Sequence, residues 1–313
     1  MMTKRIIACL ILLFASVGIL KAQQDAMYTQ YMFNTLAINP AYAGSRNVLS
    51  ATALYRSQWV GVEGAPETQT LSFDSPMKNE KVGLGIQVFS DRIGITKTTG
   101  AFLSYSYKII MEKSTLSFGL QGGMSQYRAD FTSVPLRSDG SNIDYAFAQN
   151  VNKLIPNFGA GVFYNTDKFY IGASVPHLLN NKLINDSVSV SNELISKQYL
   201  HAFVLSGYVF ELDPMLKLRP SFLLKAVGGA PLQADINANL WFKDTFSIGM
   251  SYRTKADISF LFEVQATDQI RVGYTYDRSL TKLVQFNSGS HEIMLRYEFG
   301  FSKNNFITPR RYF

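Results

Sequence analysis

The chain has 313 residues, 47% hydrophobic and 13% aromatic, with 30 Lys and Arg against 23 Asp and Glu. Lys4, Arg5 and Lys21 precede residue 23, so the rest carries 27 basic against 23 acidic groups, and no clustered basic surface for nucleic acid is left. Cys9 is the one cysteine and also precedes residue 23, which excludes disulfides and cysteine metal sites beyond it.

Residues 1–22 read as a secretory signal peptide. Lys4 and Arg5 form the basic region, Ile6 to Leu20 the apolar one, and Ala22 is a small residue suited to cleavage. Beyond residue 22 no apolar run reaches the roughly 18 residues of a spanning helix. The next segment, 23–46, holds Tyr28, Tyr31, Phe33 and Tyr42, too aromatic for a disordered tail, and Asn39-Pro40 marks a turn. It is expected to form a periplasmic arm that plugs or clasps the mouth of the domain beginning at residue 47.

From residue 47 the chain alternates with a period of two. VGLGIQVFSD sets Val82, Leu84, Ile86 and Val88 against Gly83, Gly85, Gln87 and Asp91, and IRVGYTYD sets Ile270, Val272, Tyr274 and Tyr276 against Arg271, Gly273, Thr275 and Asp277. One apolar face and a period of two is the strand signature. About fourteen such runs occur, near 47–59, 67–75, 81–90, 96–109, 114–127, 156–165, 167–176, 199–211, 215–226, 231–242, 244–254, 256–265, 268–278 and 290–302. Many reach the length that crosses a bilayer at a tilt. Short turns alternate with longer loops, among them 128–155 and 177–198. The pattern predicts an all-β fold: a transmembrane antiparallel barrel over 47–302 in the bacterial outer membrane, with a periplasmic tail at 303–313.

On the polar face the first half is rich in Gly and Ser. The second half carries Lys217, Arg219, Lys225, Asp235, Arg253, Glu263, Arg271, Asp277, Arg296 and Glu298. Charges facing lipid cost several kcal/mol each, so these belong to the lumen. With both signs present they read as a structural network that partly fills the barrel rather than as an ion filter. Along the first hairpin, parity puts Arg56, Gln58, Ser72 and Asp74 in the lumen and Trp59 outward at the membrane boundary, and an Arg56–Asp74 contact is expected. Gly61, Gly64 and Pro66 shape the loop between the two strands.

His177, His201 and His291 fall near the outer rim, and no GxSxG or metal-binding spacing accompanies them. They read as rim histidines in water rather than as a hydrolase site. The chain is read as a non-enzyme, without catalytic, metal or cofactor-binding residues.

QYMFNTLAINPAYAGS (30–45) and YRSQWVGVEGAPETQTLSFDSPM (55–77) resemble the opening of the PorP/SprF family of Bacteroidota outer-membrane proteins. Asn39, Pro40, Ala41, Ala43, Gly44, Arg56, Gln58, Trp59, Gly61, Gly64, Ala65, Pro66 and Pro76 carry the likeness, and Tyr42 and Asp74 join them as candidate partner or lumen contacts. The resemblance implies a non-enzymatic barrel of the type IX secretion system, in outer-membrane lipid. Such a barrel would support secretion or surface attachment of cargo with a C-terminal signal domain, such as gliding-motility adhesins with type B domains. Its implied partners are that cargo and either the periplasmic ring lipoprotein complex or an OmpA-like peptidoglycan-binding protein. The alternative reading is a passive or gated diffusion channel for small solutes.

Overall fold

The computed structural model describes residues 28–133, 149–183, 198–228 and 230–299. The expected signal peptide, the 303–313 tail and the centres of the loops 128–155 and 177–198 lie outside these residues. Fifteen strand segments follow one another: β1 (Leu49–Ser57), β2 (Glu67–Pro76), β3 (Val82–Ile93), β4 (Thr96–Ile110), β5 (Ser114–Ala129), β6 (Val151–Thr166), β7 (Phe169–Val175), β8 (His201–Tyr208), β9 (Phe210–Asp213), β10 (Leu216–Val227), β11 (Gln233–Phe242), β12 (Phe246–Arg253), β13 (Asp257–Gln265), β14 (Ile270–Ser279) and β15 (Ser290–Phe299). Each pairs antiparallel with its neighbours. β1 joins β15, and β11 joins both β10 and β12, so the sheet closes on itself.

Both β8 and β9 pair with β10, and Val209 between them donates its N–H to the Lys168 carbonyl. They are two halves of one interrupted stave, and the wall is a fourteen-stave barrel. The interruption falls in the run at 199–211, whose two faces are both apolar. Phe203 and Leu205 are buried inside the barrel, while Val204 and Tyr208 are exposed outside it.

The wall is inverted relative to a soluble protein. On β4, Leu103, Tyr105, Tyr107 and Ile109 are exposed, Leu103 to 63%, while Ser104, Ser106 and Lys108 are buried. The same exposed apolar face continues through Leu120, Phe158, Ile236, Phe260 and Ile293. A belt of that extent is stable only against hydrocarbon. No helix among the described residues is long and apolar enough to cross a membrane, so the strands are the crossing elements. Short turns lie at one end, between β2 and β3, β4 and β5, β6 and β7, β11 and β12, and β13 and β14. In bacterial barrels that end faces the periplasm.

A wall of about eight staves is filled by its own side chains, whereas one nearly twice as wide is not. Here the space is taken by residues 28–46. Tyr31, Met32, Phe33, Leu36, Ile38, Ala41, Tyr42 and Ala43 form one buried cluster with Phe163, Tyr170, Phe203, Leu205, Leu223, Trp241, Leu261 and Met294 of the wall. Lacking a strand partner, the arm satisfies much of its backbone locally, through the 3-10 turns Thr35–Ala37 and Pro40–Tyr42 and the bond from Phe33 N to Gln30 O.

Candidate functional site

From Tyr28, whose hydroxyl meets Thr70 toward the loop end, the described arm runs down the lumen to Arg46, which meets Glu298 at the periplasmic end. Its lower part, Asn39 to Arg46, sits against the first half of the wall. Pro40 starts a 3-10 turn capped by Asn39, whose Oδ1 accepts from Ala41 N at 3.0 Å and whose Nδ2 donates to the Val162 carbonyl at 3.1 Å. Ser174 Oγ donates to Ile38 O at 2.6 Å, and Ser106 Oγ to Ala41 O at 3.0 Å. Tyr42 meets Phe163 edge-on, with ring centroids 5.4 Å apart, and its hydroxyl accepts from Arg46 Nε at 3.1 Å. Arg46 pairs with Glu298 at 2.5 Å. Gly44, at φ +66°, donates its N–H to Asp74 Oδ2 at 2.9 Å, and its carbonyl accepts from Lys108 Nζ.

That seat explains several of the glycines on the lumen face of the first half. A Cβ at Gly83 would overlap the Ala43 carbonyl, one at Gly119 the Ala41 backbone, and one at Gly161 the Asn39 side chain. A methyl group at Gly44 would strike the backbone of Ser75 and Pro76. The wall is bare where the arm's main chain lies against it.

The upper part of the arm is held by charge. Arg56 Nη1 lies 2.7 Å from Asp277 Oδ2 and 2.8 Å from Glu292 Oε2, and all three side chains are buried. Glu292 accepts the backbone N–H groups of Thr29 at 2.9 Å and Gln30 at 2.8 Å. Thr29 Oγ1 donates to Asp277 at 2.9 Å. One cation thus faces two carboxylates, and two peptide N–H dipoles complete the solvation of Glu292. Beside this node Arg253 binds Asp235 at 2.9–3.0 Å through two nitrogens. Further down, Arg219 covers the Phe33 ring at 4.9 Å and Arg271 covers Trp241 at 5.0 Å.

Above the arm, a vestibule of about 550 Å³ opens toward the loop end. Its floor is Tyr28, Ala37 and Ile38 of the arm, and its walls come from the loop ends of β3 to β8. Phe89 stacks on Phe102, with centroids 6.2 Å apart and planes at 13°, and Phe102 meets His177 at 5.2 Å.

The expected residues separate into three places. Asn39, Pro40, Tyr42 and Gly44 meet Asp74 in the lower seat. Arg56 belongs to the upper node. Gln58, Trp59, Gly61, Gly64 and Pro66 form the first outer loop, where Gln58 N donates to Pro66 O and Gly61 and Gly64 take φ of +99° and +70°.

The Arg56–Asp74 contact does not form. Arg56 stands opposite Thr68 and Asp74 opposite Ser50, six positions along β1, or roughly 20 Å. The turn position dictates this: in an antiparallel hairpin closed at Ser57 and Glu67, residues near the loop face only residues near the loop. Trp59 is not on an outward strand face either. β1 ends at Ser57, and Trp59, at φ +46°, is half-buried in the loop with its backbone N–H donating to Ser290 Oγ, so strand parity no longer governs it.

His201 departs from the expected rim residue in water, being buried with Nδ1 at 2.9 Å from Tyr199 O. His291 is half-buried, and its Nδ1 lies 2.7 Å from the Tyr274 hydroxyl. Of the ten charged residues assigned to the lumen, nine are buried there and Lys217 is half-buried, paired with Asp244 at 2.9 Å. Sequence reasoning missed Glu292, Thr29, Gln30, Arg46 and Lys108. Glu292 was legible, since it shares the parity of Met294, Arg296 and Glu298.

A family profile described as type IX secretion system membrane protein PorP/SprF matches residues 20–297. No curated protein matches the chain. Among solved structures, the chain is similar to the Ralstonia pickettii toluene transporter TbuX, with 10% identity over 87% of this chain and 93% of that one, at a TM-score of 0.49. It is also similar to a Pseudomonas aeruginosa FadL homologue, with 12% identity over 91% and 96% of the two chains, at 0.49.

Proposed function

The chain belongs to the PorP/SprF family of type IX secretion system membrane proteins, and from that premise we propose that it is a plugged, non-enzymatic barrel that holds or hands over exported proteins at the outer membrane. The observation carrying this reading is the arm. Residues 39–44 are built into the wall by hydrogen bonds and by glycines that leave room for them. A lumen filled in this way weighs against free passage of small solutes. The cargo is a protein with a C-terminal signal domain, the type B adhesins among them. The periplasmic partner is the ring lipoprotein complex or an OmpA-like peptidoglycan-binding protein, and an N-terminal signal peptide delivers the chain.

Deleting the gene and following the cell surface by fractionation and labelling is the test. Loss or mislocalisation of particular surface proteins is expected, with the bulk of the outer membrane unchanged. Full secretion and attachment of every surface protein after deletion would contradict the reading. Recovery of the OmpA-like protein or the ring lipoprotein from a detergent pull-down is expected alongside.

A further inference from the structure

We propose that the outward face of β3, β4 and β5, at the loop end of the barrel, binds a phosphate-bearing glycolipid of the outer leaflet through Arg92, Lys97 and Arg128. This site belongs to the wall and is independent of any cargo.

The sheet register puts the three cations in one row. Arg92 on β3 stands opposite Lys97 on β4, and Lys97 stands opposite Arg128 on β5. Each shares the parity of a lipid-facing residue of its own strand, Arg92 with Val88, Lys97 with Leu103 and Arg128 with Met124, and each is exposed. Neighbouring strands lie about 5 Å apart, so the three side chains start within roughly 10 Å of one another. Like charges directly opposite on a sheet are destabilising. Glu67, opposite Arg92, and Asp130, just past β5, flank the row. Among the described residues, neither they nor any other carboxylate forms a salt bridge with it. The row therefore costs stability until an anion lies over it.

Its height selects the anion. The next outward row toward the membrane is Ser90, Thr99 and Gln126, and the one after that is Val88, Ala101 and Met124, where the apolar belt begins. Four residues from Val88 to Arg92 rise about 14 Å along the strand. At a strand tilt of about 40° that is roughly 10 Å along the membrane normal, outside the hydrocarbon, where outward charge is cheap. The outward surface thus passes from apolar, through hydroxyl and carboxamide, to cationic. A glycolipid presents acyl chain, sugar and phosphate in the same order. Basic side chains at a membrane surface attract anionic headgroups, and their N–H groups make charge-assisted bonds to phosphate. Inorganic phosphate would meet only the uppermost row, and an acidic peptide would gain nothing from the apolar one. Arg278 on β14 is also outward and exposed near the loop end, but the residue opposite it is Ile258.

Full-length barrel in dodecyl maltoside, titrated with diphosphoryl lipid A and followed by native mass spectrometry, tests this. The triple variant Arg92→Gln, Lys97→Gln, Arg128→Gln, confirmed as folded by its heat-dependent gel migration, is expected to bind about tenfold more weakly. That is a difference of about 1.4 kcal/mol. Arg278→Gln should bind as the wild type does, and phosphatidylcholine should bind the wild type and the triple variant alike. At constant ionic strength, neither inorganic phosphate nor hexaglutamate should displace the lipid. Unchanged affinity in the triple variant, or an equal loss in Arg278→Gln, would overturn the site. Displacement by inorganic phosphate would mark it as a small-anion site, displacement by hexaglutamate as a seat for an acidic protein, and either would overturn the lipid assignment. Because the readout is lipid on purified protein, failure here leaves the secretion role standing.

Discussion

Arg56 occupies a place where one side chain settles the charge of two others. With Asp277 and Glu292 buried on either side of it, Arg56→Ala leaves two carboxylates facing each other without a cation. Breaking a buried pair by removing one partner costs about 3–5 kcal/mol. The expected result is a clear fall in the temperature at which the folded barrel band converts to the unfolded one on gels. Combining Arg56→Met with Glu292→Gln should recover part of that loss, because the uncompensated charge is reduced with the cation. If Arg56→Ala melts at the wild-type temperature, the node does not hold the upper arm. Gly119 makes the opposite kind of contribution, through absence. Gly119→Val puts atoms where the Ala41 backbone lies, and the lower arm should lose its seat. Arg46, now buried, is the first basic residue after Lys21, so trypsin should release the arm from this variant and not from the wild type.

The arm as an element shows what was legible in the sequence and what was not. Its aromatic residues and the Asn39-Pro40 turn marked it as structured, and the barrel around it followed from alternation on runs such as 82–91 and 270–277. The depth of its insertion was not legible. The arm reaches past the periplasmic mouth to Glu292 and Asp277, and a contact between positions 29 and 292 leaves no periodic trace. The Gly and Ser face of the first half did carry the signal. Gly83, Gly85, Gly119, Gly161 and Gly172 are bare because the arm lies against them, whereas composition alone is equally consistent with an empty lumen. The run at 199–211 is apolar on both faces for a related reason: one face meets lipid and the other meets the arm. Thiol labelling checks this packing, since Cys9 is the one cysteine of the chain and precedes residue 23. A cysteine in place of Ser106, which contacts Ala41 O, should resist a hydrophilic maleimide in the full protein. It should react once residues 28–46 are removed, and reaction in both forms would mean that the arm does not cover this face.

At the scale of the molecule, two inversions coexist. Apolar side chains cover the outside of the wall, and the charges that a soluble protein would expose are gathered inside it. This makes detergent or lipid a requirement for the folded state: the barrel should aggregate in plain buffer and migrate as a compact, heat-modifiable band in detergent. The lumen then repeats the logic of a soluble core, with the arm's Tyr31, Phe33 and Leu36 packed against Phe203, Leu205 and Trp241. A protein built this way separates two tasks. The wall holds a place in the membrane, and the arm closes the hole that a wall of this width would otherwise leave. Planar-bilayer conductance, recorded for the full protein and for a form lacking residues 28–46, tests that closure most directly. Near silence from the full protein and steady unitary currents from the armless form are expected. Steady currents of equal size from both would contradict it.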